Sequence, residues 1–197
     1  LNAEREKCVS CGACVAACPK GARKALVSLA DADEIIAEVA KHQLFYRNSG
    51  GGVTLSGGEA LMQKDFALEL MRRCREHGIR IALETNGVHR KETYDAVMPY
   101  VDLFLYDYKA TDPEVHKAYV GCDNRILENL RYLHDSGARV LVRCPIIPGV
   151  NDNQTHFDAI AQLTVQLPKL VGAEILPYHK LGVSKAKRID SEYQEFE

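Results

Sequence analysis

The chain has 197 residues and a formal net charge of -2, with acids and bases interspersed, so it lacks the basic stripe that nucleic acid or an anionic membrane demands. Its 46% of hydrophobic residues is ample for a core, yet its longest apolar runs are only of strand length, which excludes a membrane-spanning helix. LNAEREK at the start has no signal-peptide architecture, so a reducing, cytoplasmic setting is expected, where clustered cysteines bind metal. Cys74, Cys122 and Cys144 stand singly and read as small buried hydrophobes.

The clustered cysteines come first. Residues 8 to 19 read CVSCGACVAACP, with spacings of two, two and three residues and Pro19 closing the run. This is the C-x2-C-x2-C-x3-C-P pattern of bacterial ferredoxins, in which three thiolates hold one [4Fe-4S] cluster and the fourth reaches a second. Cys8, Cys11, Cys14 and Cys18 are therefore the expected metal ligands. A zinc site fits less well, because zinc ligands usually come as two separated pairs. The run has no second copy here, so it is half of a two-cluster arrangement. Small residues between the ligands (Gly12, Ala13, Ala16, Ala17) let the backbone wrap closely.

From Asp31 the pattern changes, and two units are expected: residues 1–30 around the cysteines, and residues 31–197. DADEIIAEVAKHQLFYRN predicts one amphipathic helix with Ile35, Ile36, Val39, Ala40 and Leu44 on one face and Asp31 or Asp33 as N-cap. Apolar runs then alternate with helical patterns: GVTL, IRIALE, VDLFLY, ARVLVRC and AEILPY. Between them, Phe66, Ala67, Leu70 and Cys74 line a helix ending at Gly78, and Ile126, Leu127, Leu130 and Leu133 line one ending at Gly137. Asp112 before Pro113 reads as an N-cap, and Asn151 or Asp152 as the cap of a helix through Phe157, Ile160 and Leu167. The alternation predicts an α/β fold with a parallel sheet, either doubly wound or a barrel.

Each apolar run leads into a polar cluster. Ser56-Gly57-Gly58-Glu59 comes after the first, Glu84-Thr85-Asn86-Gly87 closes the second, Asp107-Tyr108-Lys109 comes after the third, Arg143 lies near the end of the fourth, and Tyr178-His179-Lys180 ends the fifth. In parallel α/β folds the carboxyl ends of strands share one rim, where ligands bind. Singly, each of these residues reads as a turn, a strand-end carboxylate or an ion-pair partner. Together, Glu59, Glu84 and Asp107 beside Lys109 and Arg143 suit a ligand carrying both charges, such as a bound amino acid.

The ferredoxin run, GGVTLSGGEALMQ, IALETNG, DLFLYDYK, VRCPIIPGVND and ILPYHKLG together resemble the glycyl-radical-enzyme activating proteins of the radical S-adenosylmethionine superfamily, in particular those with a ferredoxin-like insert. The resemblance covers nearly the whole chain. It implies a partial (β/α)6 barrel, with five of the six strands present here, and use of a reduced [4Fe-4S] cluster to cleave S-adenosylmethionine. The resulting radical abstracts hydrogen from a glycine of a partner glycyl radical enzyme, with flavodoxin or ferredoxin as electron donor. By the same resemblance, Gly57, Gly58 and Glu59 receive the methionine amino group. Glu84 and Thr85 lie near its carboxylate, in some members around a monovalent cation. Asp107 and Lys109 form a D-x-K motif, Arg143 is a strand-end arginine and His179 lies on the adenosine side.

Two departures stand out. Ala60 replaces the proline common after the GGE motif, and the C-x3-C-x2-C of the superfamily is absent from these residues. With no methionine before Met62, the chain is expected to begin inside a longer protein whose missing cysteines precede Leu1, and to be inactive alone. Two other classes compete: an electron-transfer or scaffold protein, and a barrel lyase or aldolase with a zinc appendage and Lys109 as Schiff-base former. The last is disfavoured, because Lys109 beside Asp107 is expected to be ion-paired and protonated.

Overall fold

The structure, a computed structural model, describes residues 8–9, 11–25, 29–121, 125–189, 193 and 196. Cys122 lies outside them. In chain order the elements are α1 (Ala13–Ala16), α2 (Ala32–Ala40), α3 (Gln43–Ser49), β1 (Gly52–Leu55), a 3-10 turn (Ala60–Gln63), α4 (Lys64–Glu76), β2 (Arg80–Thr85), α5 (Lys91–Val97) and β3 (Leu103–Asp107). Then come α6 (Pro113–Val120), α7 (Arg125–Asp135), β4 (Val140–Ile146), α8 (Gln154–Gln166), β5 (Gly172–Pro177) and α9 (Leu181–Ile189).

All five strands pair in parallel in the order β1-β2-β3-β4-β5. A doubly wound sheet reverses its strand order at a switch point; this one never does, which is the winding of a barrel segment. Alternation divides each strand. Ile81, Leu83, Phe104, Tyr106, Val140, Val142 and Cys144 are buried in one cluster with Met71, Tyr94, Val97, Leu130 and Leu133 of the helices. The intervening residues, Ala82, Glu84, Leu105, Asp107, Leu141 and Arg143, share the opposite face and are half-buried. Register aligns Asp107 with Arg143 and Arg143 with Glu174, so one row of charge crosses three strands.

Local signals account for most helix starts. The Asp31 side chain accepts from Glu34 N at 2.8 Å, and Asp112 Oδ1 accepts from Glu114 N at 2.8 Å ahead of Pro113. Two expectations are corrected. The helix predicted over 31–48 breaks into α2 and α3, and Leu44, expected on its apolar face, is 67% exposed. The break is tertiary in origin: Gln43 Nε2 donates to His77 O, beyond the end of α4, at 2.6 Å. The cap of α8 is neither Asn151 nor Asp152 but Asn153, whose side chain accepts from His156 N at 3.0 Å. Phe157 faces solvent, while Ile160, Leu163 and Leu167 are buried. Cys74 and Cys144 are buried as expected.

Candidate functional site

The strand ends open on a cleft of about 230 Å³ lined by Ser56, Gly57, Gly58, Glu59, Glu84, Thr85, Asn86, Asp107 and Lys109. Seven of the nine residues expected at the rim are thus brought together. Arg143 joins them through Glu84, with Nη1 2.5 Å from Glu84 Oε1, while Ser56 Oγ donates to Glu84 Oε2. His179 does not line this cleft; it is exposed beyond the end of β5.

Glu59 lines the cleft, and its carboxylate is also bonded within the protein. Its side chain is only 7% exposed, and its oxygens accept from Asn86 N at 2.7 Å, Leu61 N at 3.2 Å and Thr85 Oγ1 at 3.3 Å. His89 Nε2 stands 3.4 Å from Glu59 Oε1. The carboxylate therefore knits the loop after β1 to the turn after β2, and what it leaves facing the cleft is the backbone around Gly57 and Gly58. Both glycines border open space: a Cβ on either would meet no protein atom within 4 Å. Gly57, at φ 134, needs glycine for its conformation, but nothing within the protein requires it at Gly58. A glycine with no internal reason, beside a polar cleft, fits close approach by a ligand.

The remaining charges are paired across the rim. Lys109 Nζ lies 3.2 Å from Asp107 Oδ2, and Arg143 Nε lies 3.8 Å from Glu174 Oε2. Burial raises the Asp107 carboxyl above its ordinary value, against the lowering effect of Lys109 and with a further push from Glu84. Lys109 paired with Asp107 is a charge partner and not a free amine nucleophile, which removes the Schiff-base reading. Behind the rim, Asn151 is 2% exposed and fully used: Nδ2 donates to Lys109 O and Pro145 O at 2.7 Å each, and Oδ1 accepts from Ile147 N at 2.6 Å. Glu174 and Asn151 were not foreseen as site residues. The signal for Glu174 was its place in AEILPY, two residues before Leu176 and on the same strand face.

The cysteine run has suitable donors without a preformed cage. Cys8, Cys11 and Cys14 are exposed, Cys18 is half-buried, and none of them is in a disulfide. Among the described residues no three of His, Cys, Asp or Glu gather to hold a metal ion. Backbone N–H groups, that of Arg23 foremost, lower the Cys18 thiol below its ordinary value, which favours the thiolate a metal takes. The donor chemistry thus fits iron-sulfur ligation, with Cys8, Cys11 and Cys14 as the set for one cluster and Cys18 for a second, and binding would have to draw the first three together.

Comparison with known proteins adds an independent line. The family model described as the radical SAM superfamily matches residues 8–160. The isethionate sulfite-lyase activating enzyme of Nitratidesulfovibrio vulgaris is 40% identical over 98% of this chain and 63% of its own length. The choline trimethylamine-lyase activating enzyme of Oleidesulfovibrio alaskensis is 37% identical over 94% of this chain and 72% of its own. Among solved structures, a domain of pyruvate-formate lyase-activating enzyme from Bacteroides vulgatus superposes with a TM-score of 0.62 at 36% identity, covering 66% of this chain and 82% of that domain. The chain thus spans less than two thirds of the length of the first of these relatives.

Proposed function

The chain belongs to the radical SAM superfamily, among the activating enzymes of glycyl radical enzymes, and we propose that its cleft seats the methionine moiety of S-adenosylmethionine. The observation that carries this reading is Gly58, a glycine the fold does not require, opening on a cleft that offers carboxylates to an amino group and Lys109 and Arg143 to a carboxylate. Gly57 and Gly58 present backbone to the ligand, and Glu59 holds that loop in place. Glu84 and Asp107 meet positive charge, and Thr85 with Glu84 borders the place of a monovalent cation. His179 comes to the adenosine side only if the segment after β5 folds inward. In this superfamily a reduced [4Fe-4S] cluster with S-adenosylmethionine supplies one-electron chemistry. The protein substrate is a glycyl radical enzyme, as the names of the relatives state for those proteins. Flavodoxin or ferredoxin is the electron donor and the cytoplasm the compartment. No helix among the described residues is long and apolar enough to cross a membrane.

The Gly58→Ala variant tests the seat. The added Cβ touches no protein atom, so thermal stability stays unchanged. Calorimetric titration is expected to show S-adenosylmethionine bound at least tenfold more weakly. Unchanged affinity would remove the observation on which the reading stands.

The 197 residues contain no C-x3-C-x2-C, and we propose that this polypeptide by itself does not cleave S-adenosylmethionine. Supporting this, β1 pairs only with β2 among the described strands, and a groove of about 670 Å³ lies beside it, lined by Ile35 and Val39 of α2, Phe66 and Leu70 of α4, and β1 itself. An open edge with an apolar groove suits one more parallel strand, completing the six-stranded barrel. Deoxyadenosine formed by this polypeptide with a strong reductant would refute the proposal. The arrangement of charge at the strand ends disfavours a scaffold role, which has no use for a cleft built this way.

A further inference from the structure

The turn from Asn86 to His89, which follows Glu84 and Thr85 at the end of β2 and sets Asn86 in the cleft wall, is held from two sides. On the rim side, Asn86 N donates to Glu59 Oε2 at 2.7 Å, Gly87 N to Thr85 Oγ1 at 3.4 Å and Val88 N to Asn86 Oδ1 at 3.2 Å. On the core side, Asn129 of α7 donates through Nδ2 to Gly87 O and to His89 O, each at 2.7 Å. The Tyr106 hydroxyl donates to Ile126 O at 2.6 Å and stands 3.4 Å from Gly87 O. Gly87 has φ 82, and a Cβ there would lie 2.2 Å from that hydroxyl, so the turn rests directly on Tyr106.

Asn129 is 2% exposed, on the helix face that otherwise buries Ile126, Leu130 and Leu133 together with His134. Packing alone would be served there by leucine, which has nearly the same shape as asparagine. A carboxamide has two N–H donors, and both are spent on carbonyls two residues apart in one turn. Removing them leaves buried Gly87 O only the longer contact to the Tyr106 hydroxyl and takes the Asn129 donor from half-buried His89 O, while the helix keeps its own hydrogen bonds.

We propose that Asn129 is a positioning residue for the cleft, fixing the Gly87–His89 turn and with it Asn86, which lines the cleft and whose N–H holds the Glu59 carboxylate. This rests on the reading of the cleft as the S-adenosylmethionine seat. Asn129 touches no ligand; its effect passes through the backbone of the turn. The link also reaches Ile126, through Tyr106, so both the start and the middle of α7 grip the same turn.

The test compares Asn129→Leu with Leu133→Val, which loosens the core on the same helix without touching the turn, in the full 197-residue chain. Hydrogen exchange is read at the amides of Asn86, Gly87 and Val88, and S-adenosylmethionine is titrated by calorimetry at a temperature where all proteins are folded. Asn129→Leu is expected to speed exchange at these amides roughly tenfold or more and to raise the dissociation constant by a similar factor. Leu133→Val lowers the melting temperature and moves neither quantity beyond twofold. Asn129→Ser, milder in shape, gives intermediate shifts and replaces the leucine variant should that one not fold. Exchange and affinity within twofold of the parent in the Asn129 variants overturn the proposal, as does Leu133→Val reproducing both shifts. A parent chain that binds no S-adenosylmethionine overturns the reading of the cleft instead, and the exchange measurement then still decides the role of Asn129.

Discussion

Replacing Asn151 by leucine should cost more stability than any other single exchange at the rim. The side chain is buried, and its loss leaves the carbonyls of Lys109 and Pro145 and the N–H of Ile147 without their partners. A stranded buried polar group costs about 1 to 3 kcal/mol, and carbonyls, with a second lone pair, sit toward the low end. The three together amount to about 3 kcal/mol, a large part of a typical stability of about 5 to 15 kcal/mol. With a urea dependence of about 2 kcal/mol per molar, the unfolding midpoint falls by about 1.5 M. Urea titration followed by circular dichroism measures it directly. Asp152→Ala is the control, since Asp152 only accepts from Gly149 N in an exposed turn and its loss stays within about 0.5 kcal/mol. A midpoint drop in Asn151→Leu no larger than that of Asp152→Ala would show that the three bonds contribute nothing net. Because Lys109 O is one of the stranded groups, the same variant should also bind S-adenosylmethionine more weakly.

The same geometry sets other outcomes. The Asp107 carboxyl is raised by burial, so the folded state holds its proton to higher pH than the unfolded chain and ionisation opposes folding; Asp107→Asn is expected to raise the urea midpoint at pH 7, with the gain fading as pH falls through the raised value. A gain independent of pH would contradict that cause. Burial pushes the Cys144 thiol to about 12 and raises that of Cys74, so iodoacetamide at pH 8 should leave both unlabelled in the native protein, by mass spectrometry, while exposed Cys11 and Cys14 react. Cys18, lowered by backbone N–H groups, should gain reactivity at a lower pH than an ordinary cysteine; a rate that rises only near the ordinary thiol value would refute this. S-Adenosylhomocysteine, which lacks the sulfonium charge, should bind more weakly than S-adenosylmethionine, and the gap measured by calorimetry should narrow in high salt.

The strands were legible because strands of a parallel sheet covered by helices read as near-continuous apolar runs, and all five predicted runs appear, with ends displaced by no more than two residues. Their sequential order was not legible, since alternation alone fits both a doubly wound sheet and a barrel. The helix errors have a common cause. Asn151, Asp152 and Asn153 are all competent caps, and the choice fell to Asn153 because Asn151 is committed to Lys109 O, 42 residues away in the chain. Likewise α2 and α3 read as one helix by periodicity until Gln43 finds His77 O, 34 residues on. Glu59 is the same lesson at the rim: its spacing in the GGE motif is visible, while the Asn86 and Leu61 amides that occupy its oxygens are not.

The charges of the cleft show why a rim already paired within itself still suits an ionic ligand. Glu84 with Arg143, and Asp107 with Lys109, are near-neutral pairs before anything binds, so no bare charge has to be kept in a half-buried site. Glu174 adds a third carboxylate, half-exposed and only 3.8 Å from Arg143, in register with both Arg143 and Asp107. Counting Glu59, Glu84, Asp107 and Glu174 against Arg143 and Lys109 leaves two negative charges in excess. S-Adenosylmethionine, with an ammonium, a sulfonium and a carboxylate, carries one net positive charge. On the proposed seating, its ammonium replaces the basic partner of one pair and its carboxylate the acidic partner of the other. The sulfonium then offsets part of that excess, which a neutral thioether would leave whole.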